Sequence, residues 1–193
     1  LPYPTKKPVK DKGIPMKNAL AIALIAAVGF VALAPNQASA VDGTINVTGT
    51  INSSTCKING GNSPATVNVT LPTVSTTSLT AAGQTAGRTA FNLALSGCGA
   101  LTKAQTYFEP GPTIMADGNL KNSSGTATGV EVQLLNGDFS SINLAGAAGS
   151  QASQQATLAS GAGTLNYYAQ YFATAAAGAG TVSTTVQFTM LYQ

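Results

Sequence analysis

Cys56 and Cys98 are the two thiols of a 193-residue chain that contains no histidine and no tryptophan. A thiol pair can close a disulfide or supply half of a metal site, but without histidine two cysteines cannot complete a zinc site unaided. The same lack removes Ser-His-Asp and Cys-His catalysis. No G-x-S-x-G elbow, P-loop or G-x-G-x-x-G run is present. Glu109 and Glu131 could in principle form a glycosidase pair, yet acids this scattered read more simply as solvated charges. Tyr167, Tyr168, Tyr171 and Phe172 could line a sugar site, although core and interface packing explains them better. Asn46, Asn52, Asn68 and Asn122 each begin an Asn-x-Ser/Thr triplet, which is unremarkable in a chain so rich in these residues. The expectation is a protein with no catalysis, no cofactor and no metal.

What the cysteines do depends on where the chain resides. Met16 and Lys17 precede the apolar run Ala19–Ala34, and small residues at Ala38 and Ala40 follow. This is the pattern of a secretory signal peptide over residues 16–40, cleaved between Ala40 and Val41. The run is short for a membrane span, and nothing basic follows it as a stop. Residues 1–15, rich in Pro and Lys, read as a disordered upstream extension. Five of the nine basic residues precede Val41, so the formal charge of +3 belongs to the leader. Residues 41–193 keep Lys57, Arg88, Lys103 and Lys121 against Asp42, Glu109, Asp117, Glu131 and Asp138, a net charge of about −1. Nucleic acid is therefore not an expected partner. In an exported chain an even cysteine pair reads as a disulfide, with free thiols or a shared metal site as the alternatives.

The elements that would carry these residues are strands. Val41, Gly43, Ile45, Val47, Gly49 and Ile51 alternate with polar residues without a break, the period of a strand with one apolar face. Alternation returns over Thr66–Leu71, over Thr89–Cys98 with Phe91, Leu93 and Leu95 on one face, and over Thr164–Thr174 with Leu165, Tyr167, Ala169 and Tyr171 together. Thr128–Asn136 is a further strand ending at the turn dipeptide Asn136-Gly137. Val182, Val186, Phe188, Met190 and Tyr192 share a face of the last segment, which closes at Gln193. Leu144–Gly163 is low in complexity and reads as a mobile surface loop. Strands separated by Gly, Ser and Asn turns predict an antiparallel sandwich. Its first and last strands each have an apolar face and no evident neighbour, which is an aggregation hazard unless another chain covers it.

Four stretches resemble the major pilins of type 1 fimbriae, assembled by the chaperone–usher pathway. "GTINVTGTINSSTC" is similar to the family's N-terminal extension running into its first cysteine, with Gly49 at the family's glycine. "FNLALSGC" is similar to the segment with the second cysteine, "YYAQYFAT" to a late strand, and "VQFTMLYQ" to the C-terminal motif. The resemblance implies an all-β, incomplete immunoglobulin-like sandwich that lacks its final strand and is completed by a donor strand from another subunit. It implies a donor strand over residues 41–52 and a pilin domain over 53–193. Val186, Phe188, Met190, Tyr192 and Gln193 would form the edge that a periplasmic chaperone holds. The implied partners are identical or related pilin subunits, that chaperone and an outer-membrane usher. The implied location is a fimbrium on the bacterial surface, reached through the periplasm. A minor adaptor or tip pilin, or a secreted carbohydrate-binding sandwich, is the alternative.

Overall fold

The computed structural model describes residues 45–48 and 56–193. The chain divides into two compact units, Leu1–Gly49 and Thr50–Gln193. Of the first unit, residues 45–48 carry no regular secondary structure, and Ile45 and Val47 are 91% and 88% exposed. The whole expected signal peptide, the Ala40–Val41 cleavage site, and Val41, Gly43, Gly49 and Ile51 lie outside the described residues.

The second unit is built from β1 (Lys57–Ile58), β2 (Thr85–Ser96), β3 (Lys103–Phe108), β4 (Leu120–Lys121), β5 (Val130–Asn136), β6 (Gln155–Thr157), β7 (Gly163–Ala173) and β8 (Phe188–Tyr192). They form two antiparallel sheets, one in the order β1-β2-β7-β5-β4 and the other β6-β3-β8. A single 3-10 turn, Thr76–Ser78, is the one helical element among the described residues, and the Ser75 hydroxyl caps it by accepting from the Thr77 N–H.

The alternation read from the sequence is the alternation that builds the core. Phe91 faces Tyr167, and Leu93 faces Leu165 across β2 and β7. Leu93, Leu95, Leu165, Tyr167 and Ala169 are buried with Leu134 of β5 and Phe108 of β3, so their burial drives the two sheets together. Tyr167 ties the sheets with more than its ring. Its hydroxyl donates to Thr106 Oγ1 of β3 at 3.0 Å, and Phe108 packs edge-on at 6.0 Å. Burial pushes this phenol up to about 12, with the Thr106 hydrogen bond working in the other direction.

Cys56 and Cys98 are disulfide-bonded, and pair the chain ahead of β1 with the end of β2. Closing a loop of 42 residues corresponds to about 4 kcal/mol in the chain-entropy treatment.

Three expectations need correction. Leu144–Gly163 is not merely a surface loop. Leu144, Gln151, Ser153 and Leu158 are buried and the segment contains β6. The Gln151 carboxamide explains how so polar a stretch is buried. Its Nε2 donates to the carbonyls of Phe108 (2.7 Å) and Leu144 (3.0 Å), and its Oε1 accepts from the Phe108 N–H (2.9 Å). Secondly, Thr66–Leu71 keeps its alternating burial but joins no sheet among the described residues. Thirdly, Glu131 is not a solvated charge. It lies in β5 with 9% exposure and its Oε2 has no partner among the described residues. Burial first, and then the charge of Asp117, raise its carboxyl above the usual range. Glu109 follows β3 in the other sheet, so the acidic neighbour of Glu131 is Asp117.

Candidate functional site

Two extended segments flank one side of the core. Along the first, Ala65, Val67, Val69, Leu71 and Val74 are half-buried while Thr66, Asn68 and Thr70 are exposed. Along the second, Val182, Thr184, Val186, Phe188, Met190 and Tyr192 are half-buried while the odd-numbered residues from Thr181 to Gln193 are exposed. The apolar members of both series rest on the same two buried clusters. Val74 and Val182 both pack against the cluster of Leu79, Val130 and Ala173 at one end. At the other end burial pushes the Tyr192 hydroxyl up, opposed by a hydrogen bond with the Cys56 backbone. The segments therefore run antiparallel along one core.

No backbone hydrogen bond joins them among the described residues. Residues 62–74 have no backbone partner there at all. Among the described residues the second segment is paired on one side alone. Glu109 N–H donates to Gln187 O at 2.8 Å, and Gln193 and Lys103 exchange N–H···O bonds at 3.0 Å in both directions. Those bonds fix the register of β8 on β3, Phe108 against Phe188 and Ala104 against Tyr192. In an antiparallel ladder the hydrogen-bonded direction reverses at each residue. Odd residues thus aim their N–H and C=O at β3. The even residues Phe188, Met190 and Tyr192 aim theirs at the free edge, and their side chains are the half-buried ones.

Upstream of β8 the same phase is held by a different device. Thr181 O accepts from Ala127 N–H and Ser183 O from Ser123 N–H, while Ser183 N–H donates to Asn122 Oδ1. Gly125 permits this close approach, since a Cβ there would overlap the Thr181 carbonyl. The result is a slot with a largely apolar floor and, on both rims, main-chain donors and acceptors that are unpaired among the described residues. It can bind an extended chain that alternates apolar and polar residues.

Of the residues expected at the groove edge, Val186, Phe188, Met190 and Tyr192 fall on this rim. Gln193 is exposed, and its carbonyl accepts from the N–H groups of Thr102 and Lys103. Sequence reading missed Thr184. It occupies an inward position of the same series, and its buried Oγ1 has no partner among the described residues. The period itself points there, but a hydroxyl on an otherwise apolar face leaves no hydropathy signal. It also missed the opposite rim, whose Ala65, Val67, Val69 and Leu71 pack on the core without a ladder.

Two sheets enclosing a core, with one side unpaired among the described residues, define a class: the incomplete immunoglobulin-like sandwich. The P pilus rod subunit PapA shares this fold, with a TM-score of 0.55 over 72% of this chain and 99% of that one at 19% identity. The tip adhesin CupB6 of Pseudomonas aeruginosa shares it with a TM-score of 0.55 and 21% identity, over 71% of this chain and 37% of the adhesin. Sequence narrows the class. The profile of the family described as "Type-1 fimbrial protein, A" matches residues 71–193. The major fimbrial subunit SMF-1 of Stenotrophomonas maltophilia is 45% identical over 172 residues, spanning 84% of this chain and 99% of that protein. The F17 fimbrial protein of Escherichia coli is 39% identical over 174 residues, spanning 86% and 96%. The chain belongs to the type-1 fimbrial protein family.

Proposed function

We propose that this chain is a structural, non-catalytic subunit of a fimbrial shaft that polymerises by lending a strand to its neighbour. The observation that carries the reading is the rim of the slot, where apolar side chains and unpaired main-chain groups belong to the same residues. A strand inserted there gains both. Val41, Ile45, Val47 and Ile51 have the alternation such a strand needs, and Gly49 admits close approach of two backbones. In this reading residues 41–52 leave their own subunit and fill the slot of the next. A periplasmic chaperone holds the Val186–Gln193 edge until an outer-membrane usher brings the exchange about. The contact is heterologous, so it propagates as a filament on the bacterial surface instead of closing a dimer.

Residues 16–40 would be removed first, and N-terminal sequencing of exported material should begin at Val41. No helix among the described residues is long and apolar enough to cross a membrane, and attachment through the fibre requires none. Immunogold electron microscopy of cells with and without the gene tests the function. Label along the whole length of filaments that vanish with the gene is expected. Unchanged filaments, or label at the tips alone, would contradict a shaft subunit.

A further inference from the structure

A second concavity lies on the other face of the five-stranded sheet. A cleft of about 420 Å³ is lined along β2 by Ala90, Phe91 and Asn92 and along β7 by Asn166, Tyr167 and Tyr168, with Gly137 and Gln154 as its wall. That volume is within the range of small-molecule sites. The register explains the hollow. Ala90 stands opposite Tyr168, and Asn92 opposite Asn166, across β2 and β7. Directly opposed residues share a face, and here their chain neighbours Phe91, Leu93, Leu165 and Tyr167 take the core. The Ala90 methyl leaves space beside the Tyr168 ring that a larger side chain would fill.

The wall is fixed. Gln154 Oε1 accepts from Gly137 N–H at 3.1 Å, and its Nε2 donates to the Asn166 carbonyl. The side-chain amides of Asn92 and Asn166 are exposed and without partners among the described residues; only their main-chain carbonyls are engaged. Against Tyr168 packs Phe139, which is 50% exposed with φ at +68°, a region that bulky residues avoid. Asp138 pins that turn by accepting from Ser140 N–H (3.0 Å) and Oγ (2.6 Å). The Phe139 ring lies 4.8 Å from that of Tyr168, under the Arg88 guanidinium at 4.5 Å. Strain held in place on an exposed aromatic points to a use other than packing.

The geometry points to a subsite for a neutral oligosaccharide. Each free carboxamide presents donors and an acceptor side by side, which matches adjacent sugar hydroxyls. Tyr168 offers ring surface for the C–H face of a pyranose. The lining contains no ionisable acid or base apart from the tyrosines. Arg88, which lies over Phe139, is occupied by that ring and by Gln170 Oε1 at 3.0 Å. Charge therefore does not select the ligand. This site is independent of the slot and of the assembly reading.

Saturation-transfer NMR on the purified exported protein tests it, with lactose representing animal-cell glycans and cellobiose representing matrix polysaccharide. Saturable binding of at least one, with Kd of about 1 mM, is expected. Replacing both amides, Asn92→Ala with Asn166→Ala, should weaken it at least about tenfold through the lost hydrogen bonds. Ala90→Trp should abolish it by filling the cleft. Thr164→Ala, further along the same face, should leave it unchanged, and near-UV circular dichroism should show each variant folded. Absence of saturable binding to either sugar, or binding indifferent to the double variant and to Ala90→Trp, overturns the proposal. If neither sugar binds and Ala90→Trp instead stops fibre growth, the cleft is a subunit contact and the proposal fails.

Discussion

Ile45→Asp separates folding from assembly. In the single chain Ile45 is 91% exposed, and an exposed substitution typically shifts stability by within about 0.5 kcal/mol. The subunit and its chaperone complex should therefore accumulate normally. In the fibre the same side chain would lie on the slot floor. There the substitution forfeits about 1.5–3 kcal/mol of apolar burial and places a carboxylate beside Val186, Phe188 and Met190. An unpaired carboxylate in such surroundings costs several kcal/mol more, unless it protonates. A combined loss of about 4 kcal/mol or more lowers the contact's equilibrium constant by about a thousandfold. The assay is co-expression with chaperone and usher, followed by gels that retain heat-resistant polymer. The ladder should vanish while the chaperone complex remains, and Thr48→Ser on the polar face should leave both intact. A normal ladder from Ile45→Asp would refute the reasoning, as would loss of the chaperone complex.

Thr184→Val should stabilise the isolated subunit, because it removes a buried hydroxyl that has no partner among the described residues. A gain of about 1 kcal/mol corresponds to a rise in Tm of about 4 °C, and a lower Tm would show that the hydroxyl is satisfied. Leu144→Ala should cost about 2–5 kcal/mol in denaturant unfolding, since this side chain is fully buried; a change below about 0.5 kcal/mol would return the segment to the surface.

The strands that were legible were those whose alternation coincides with a ladder. β2 and β7 follow from Phe91, Leu93, Leu95, Leu165 and Tyr167 because each buries one face against the other sheet, whereas β5 is buried on both faces and was marked by its apolar run and the Asn136-Gly137 turn. The slot's second rim was legible for the same reason, through Val186, Phe188, Met190 and Tyr192. Alternation reports which face is buried, however, and not whether the edges are paired. Hence Thr66–Leu71 reads like a sheet strand yet stands as an unpaired rim. Hydropathy failed wherever burial is carried by hydrogen bonds. Gln151 and Ser153 enter the core by bonding the main chain of β3, which leaves no apolar mark in the sequence. The cleft was hidden for a third reason. Phe139 reaches the surface because the turn after Asn136 holds it there, and turn geometry projects a side chain without any periodic signal. Membership of the fimbrial family was legible in the four motif stretches, and the matching profile spans three of them.

Hydrogen exchange along β8 tests the donor-strand account most directly. The alternation of its main-chain groups fixes the outcome residue by residue. In a subunit of residues 53–193, the amides of Thr189, Leu191 and Gln193 face β3 and should exchange slowly. Those of Val186, Phe188, Met190 and Tyr192 face the open slot and should exchange fast. Addition of a synthetic peptide of residues 41–51 should slow the second set strongly and leave the first set nearly unchanged. Protection of the even-numbered amides before the peptide is added, or no gain in their protection at saturating peptide, would contradict the account.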